Sequence, residues 1–296
     1  MQLRALPAVA ICVLTACGPK KGTVAAPGAA IPTPSPVAPP VVTAPITRPG
    51  GDVVRLGPSA LRYVVHHRSH VEEQYPGQTR TADQGLRVFL AATIVGPADS
   101  TGYPLTFTVD SVVLDSGTTL PPTINLAAGR GLRYSGHLTP TGEFKQTATS
   151  DSSIAQLLVQ VTGSFRNFYP RMPLGGLKPG ADWTDTTSSN DRVAIDVNIK
   201  VVAHSRTGTW EERNGSRCLR VESTSTYSVA GSGTQMGQPL EVTGTGSRSS
   251  IQFVAIDGRY LGGEAHDSSA IVVGVPMQGM TVPVRQITHS TVTVLP

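Results

Sequence analysis

The chain has 296 residues, of which 39% are hydrophobic, 5% aromatic and 15% charged, with a formal charge of +4. Four of the 24 basic groups (Arg4, Lys20, Lys21 and Arg48) lie in residues 1–50, where there is no acid, so the remaining 20 face 20 acidic groups. A neutral body lacks the basic stripe that a phosphate backbone requires, which argues against nucleic acid as a partner.

The chain opens with a basic start at Arg4 and an apolar run from Ala5 to Leu14. Ten apolar residues span about half of a bilayer core, so the run is a signal core and not a membrane span. It ends in Leu14-Thr15-Ala16-Cys17, which resembles the lipobox of bacterial lipoproteins. That resemblance implies that residues 1–16 are a signal peptide and that Cys17 becomes an acylated first residue. Gly18 stands where an aspartate retains such proteins in the inner membrane, which implies the outer membrane, facing the periplasm. Several acyl chains on one cysteine suffice for a stable anchor, whereas one does not.

Residues 17–51 are expected to form a lipid-anchored, disordered tether rich in proline and alanine, including "AAIPTPSPVAPPVVTAPITRPG". Too little of it can be buried to offset chain entropy, and its prolines favour an extended form reaching up to roughly 90 Å.

From residue 52 to 296 the pattern has a period of two. Leu86, Val88, Leu90, Ala92 and Ile94 share one face of a strand, as do Leu105, Phe107 and Val109. The longest run places Val193, Ile195, Val197, Ile199, Val201 and Ala203 opposite Ala194, Asp196, Asn198, Lys200 and His204; another is Leu219, Val221, Ser223, Ser225, Tyr227 and Val229. Half-apolar strands belong to antiparallel sheets. Turn dipeptides at Pro76-Gly77, Gly96-Pro97, Thr141-Gly142, Asn214-Gly215 and Asp257-Gly258 punctuate them. The expected fold is mainly β, a curved antiparallel sheet or open barrel of about a dozen strands with lengths from about six to fourteen residues.

One segment breaks the pattern. After an Asp151-Ser152 cap, Ile154, Leu157, Leu158 and Val161 have helical spacing, so a helix is expected over 151–165 with a loop over 166–189. These divide two strand blocks, 52–150 and 190–296. Each block holds a hairpin with an aromatic after its glycine, Phe144 in one and Tyr260 in the other, which reads as an internal duplication.

Few residues suggest chemistry. In a strand, His66 and His70 lie about 13 Å apart and His67 points the other way, so "HHRSH" cannot hold one zinc. His266-Asp267-Ser268-Ser269 places triad residue types side by side rather than on separate elements, and nucleophile elbow, zinc-protease and P-loop motifs are missing. The sequence therefore predicts no enzyme, no cofactor and no metal. Cys218, the single body cysteine, cannot form an internal disulfide and is expected as a small buried hydrophobe despite its flanking arginines.

The most individual stretch is "FYPRMPLGGLKPGADWTDTT", residues 168–187. Its prolines fix a path ending in an indole, so Trp183 either plugs the end of the sheet or belongs to a docking loop with Phe168, Tyr169, Met172 and Leu174 exposed. The stretch resembles a loop in uncharacterised β-rich bacterial lipoproteins, and the anchored β body with a helix distantly resembles the lipoprotein-localisation factor superfamily, a half-barrel that shelters acyl chains. That resemblance implies an apolar or lipid ligand in the curved sheet, with Phe168, Tyr169, Met172 and Trp183 at its mouth. The alternative is a non-catalytic structural or protein-interaction module of the envelope.

Overall fold

The computed structural model describes residues 53–118, 125–192, 195–235 and 238–296. The signal, Cys17 and the tether lie outside the described residues, as do Val193 and Ala194. Eleven strands form one antiparallel sheet: β1 (Ser59–Tyr75), β2 (Gln78–Ile94), β3 (Tyr103–Leu114), β4 (Arg133–Leu138), β5 (Phe144–Thr149), β6 (Asp182–Arg192), β7 (Asp196–Arg213), β8 (Ser216–Gln235), β9 (Gln238–Ala255), β10 (Tyr260–Val275) and β11 (Met280–Leu295). With the single helix α1 (Ser152–Thr162), this is the curved sheet or open barrel that the alternation predicts.

The strand order is β5-β4-β3-β2-β1-β11-β10-β9-β8-β7-β6. Strands adjacent in sequence are paired, and β1 pairs with β11 across the middle. The exception is β5 and β6, which form the two edges. The barrel is therefore cut where α1 and its following loop enter.

Two expectations need correction. The segment expected as loop to residue 189 becomes strand at Asp182, because Thr184, Thr186 and Thr187 suit a pleat although they carry no apolar period. The strands also exceed the expected length: β8 has 20 residues, and β7 and β9 have 18 each. Their extra turns of pleat are built from Ser, Thr and Gly, to which a hydropathy pattern is blind. The turns fall where the dipeptides place them, and Asn214 (φ 50°) with Gly215 (φ 69°) makes the left-handed pair of a tight hairpin between β7 and β8.

One face of the sheet is covered; the other is largely exposed apart from a small buried cluster of Cys218, Ala255 and Leu261. Leu86, Val88, Leu90, Ala92 and Ile94 are all buried, while Asp196, Asn198, Lys200 and His204 of β7 are exposed. The covered face has two apolar regions. The larger joins Tyr63, Leu90, Phe107, Tyr134, Leu158, Leu219 and Tyr260; the other joins Val197, Val229, Val242, Ile271, Val273 and Val284. Between them runs a polar belt with buried Ser69, Ser205, Ser269 and Thr288. Its groups find partners, as buried polar groups must: Ser205 and Ser223 hydroxyls lie 2.8 Å apart, and Tyr227 Oη donates to Asp267 Oδ1 at 2.7 Å.

Helix α1 starts where Asp151 Oδ1 accepts from the backbone N–H groups of Ser153 and Ile154. It buries Ala155 and Leu158, whereas Leu157, expected on its inner face, is 40% exposed. Gly129 decides the rotation, because a Cβ there would sit 2.4 Å from Leu158 Cδ1. The helix docks by the side chain that this glycine admits.

Candidate functional site

The chain from Gly163 to Ala181 fills the cut between β5 and β6. Phe165 stacks on Phe107 with ring centroids 4.8 Å apart. Phe168 meets Tyr63, Phe107 and Tyr260 edge-on, at 5.1, 5.0 and 5.5 Å, and so joins β1, β3 and β10. Tyr169 and Met172 are buried, and Trp183 packs partly buried against the same cluster. Of the five loop residues singled out in the sequence, Leu174 alone is strongly exposed, at 76%. The loop packs into the core through Phe165, Tyr169 and Met172, with Phe168 and Trp183 partly buried against it.

Two further links hold the loop. The β4–β5 turn docks on it: Met172 N–H donates to Thr141 O, and Gly142 (φ +85°) lies so close to Pro170 O that any Cβ would collide with that backbone. Val54 and Leu177 exchange backbone hydrogen bonds of 2.8 Å, and Arg55 Nη2 donates to Gly175 O at 3.0 Å. The chain thus enters the β body beside this loop.

Charges close the strap. Arg166 Nε lies 2.6 Å from Glu143 Oε1, and Arg171 reaches both Glu143 (3.3 Å) and Asp185 (3.1 Å). Arg171 therefore connects the β4–β5 turn with β6, across the cut. Burial by itself would raise the Glu143 carboxyl, but Arg166 and Arg171 outweigh it and hold the group below its ordinary value. Glu143→Gln should lower the unfolding free energy by about 2 kcal/mol, measured by urea titration at neutral pH, because two arginines lose their shared carboxylate. A folded-state pKa that is depressed contributes stability above the unfolded value of 4.5, lost as pH falls through the folded one, so the gap to wild type should close there.

On the outer face a groove of about 750 Å³ crosses six strands. Its border includes Glu72 (β1), Lys200 (β7), Thr226 (β8), Thr245 (β9), Ser268 (β10) and Arg285 (β11). The walls carry hydroxyls and charges of both signs beside the exposed apolar side chains of Val202 and Ile287, a mixed surface suited to contact with another chain.

No family model and no curated protein matches the chain. Among solved structures, OccK2 (OpdF) from Pseudomonas aeruginosa is 6% identical, over 80% of this chain and 98% of its own, with a TM-score of 0.21. A score that low does not place the two chains in one fold.

The remaining candidates are dispersed. His66 lies 2.7 Å from Asp115, His67 2.9 Å from Ser290 and His70 2.7 Å from Asp83, so the three histidines have three separate partners. Register puts His266 on the outer face and Asp267 on the covered one, so these neighbours cannot act together. Cys218 is fully buried, and burial pushes its thiol pKa up. Sequence reading missed Glu143, Arg166, Arg171 and Asp185; the signal it could have used was the pair of arginines flanking the aromatic pair Phe168-Tyr169.

Proposed function

We propose that this chain is a lipoprotein anchored in the outer membrane through Cys17, with a β body that serves as a non-catalytic interaction module of the envelope. The observation that carries the reading is the groove on the exposed face, which offers a mixed surface across six strands, with charges and hydroxyls beside the exposed Val202 and Ile287. It is supported by the plugged cut: Phe168, Tyr169 and Met172, which a ligand mouth would require free, are committed to the core. Val54, near the start of the described residues, pairs with Leu177 of the strap loop.

Two experiments test the two halves of this proposal. Wild type should incorporate labelled palmitate and fractionate with the outer membrane, whereas Cys17→Ser should be released; a Cys17→Ser chain that still fractionates with the outer membrane would sink the anchor. A photocrosslinker at Ile287, which lines the groove, should give one adduct of defined mass in intact cells, lost in Arg285→Glu. Absence of that adduct, with non-covalently bound acyl lipid detected by mass spectrometry on the Cys17→Ser protein, would favour the other reading, an apolar ligand inside the curved sheet.

A further inference from the structure

Away from the groove and the strap, β10 and β11 bring together three side chains that no sequence motif announces. His266 and His289 are direct cross-strand partners, and their rings stack with centroids 4.3 Å apart and planes 15° off parallel. Glu264 is two residues before His266 and so shares its face. One ligand atom from each of Glu264, His266 and His289 lies within 4.8 Å of the others. We propose that these three residues form a surface site for a divalent transition cation such as Zn²⁺.

The chemistry matches the donor set. Two imidazole nitrogens and one carboxylate suit zinc, which takes tetrahedral N and O ligands at about 2.0–2.2 Å and keeps a fourth place for water. Donors on such an ion sit roughly 3.3 Å apart, as bond lengths of that size and tetrahedral angles require. The present spacing closes to that value by side-chain rotation, which the exposure of Glu264 and His266 permits. His289 gives an independent indication: its Nε2 is buried and has no hydrogen-bond partner among the described residues. A ring nitrogen in that state is costly, and ligation through Nε2 itself would relieve it.

The neighbourhood does not oppose a cation. Arg68 is the register partner of His289 on β1, but its Nε lies beside His66 Nε2 (3.2 Å) and is paired with Asp115 at 3.5 Å. Across from His266 on β9 is Ser249, an uncharged hydroxyl. Cys218, the other soft ligand in the body, is fully buried and cannot compete.

The test is a titration of the purified, tag-free protein with Co²⁺, read by its visible absorption, followed by displacement with Zn²⁺ and a parallel thermal shift. The expected result is one ion per chain and a higher melting temperature with zinc. His289→Ala and Glu264→Gln should each weaken zinc by more than about a hundredfold, beyond what loss of an outer-shell partner usually costs. His204→Ala, at an exposed histidine on β7 paired with Asp182, should leave binding unchanged. The proposal is overturned if wild type binds no ion, if both ligand variants bind as wild type while keeping its circular dichroism, or if His204→Ala removes the binding. None of these outcomes depends on the groove having a partner.

Discussion

Phe168→Ala is expected to lower the unfolding free energy by about 3 kcal/mol, measured by equilibrium urea unfolding. The ring touches Tyr63, Phe107, Phe165, Tyr169 and Tyr260, which sit on three strands and on the loop itself. The three on strands are pinned by ladder hydrogen bonds and Tyr63 also by donation to Tyr260 O at 3.0 Å. They cannot close the space left by the missing ring, so the cavity adds its own penalty to the lost transfer energy. Leu174→Ala, on the same loop but 76% exposed, should stay within about 0.5 kcal/mol of wild type. A Phe168→Ala loss as small as that of Leu174→Ala would mean that the loop is a lid resting on the sheet.

The second large effect is a loss of stability under mild acid caused by His67. This side chain lies on the covered face, and burial first, then Arg248 and His66, hold its pKa down to about 4 against an ordinary 6.5. Between those values the unfolded chain takes up a proton that the folded chain refuses. Stability contributed by a neutral His67 is therefore complete above 6.5 and is lost as pH falls towards 4, by about 2 kcal/mol between pH 7 and pH 5. Asp267, across the belt, acts in the opposite sense: burial raises its carboxyl, which favours folding at low pH and loses that contribution as pH rises through the folded value. Glu143 and its arginines act below 4.5, under the pH 7 to pH 5 range in which the His67 loss is read. His67→Gln, which can still bond Ser290, should therefore flatten the melting temperature between pH 7 and pH 5; an unchanged slope would assign the acid sensitivity elsewhere.

These effects lie at different distances from the sequence. Leu86 to Ile94 and Leu105 to Val109 announce their strands because side chains alternate faces and each face meets a different solvent. Asp151 announces α1, and Asn214-Gly215 announces a hairpin, because cap and turn chemistry is local. Strand β6 was not legible, since Thr and Ser give no apolar period and its stability comes from pairing with β7. The rotation of α1 was equally hidden, because Gly129, which admits Leu158, is 29 residues away.

The sequence by itself determined the fold class and the place of the helix, because these follow from periodicity and capping, and it marked out the aromatic loop while leaving open whether that loop packs inward or stands exposed. It also determined that the body is neutral and that "HHRSH" cannot converge on one ion. Only the tertiary structure decided which strands are the edges, that Arg171 straps them together through Glu143 and Asp185, and that His266 meets His289. Those facts depend on strand order and register over separations of 14 to 28 residues for the strap and 23 for the histidines, and a one-residue slip in register would have turned every such side chain to the other face.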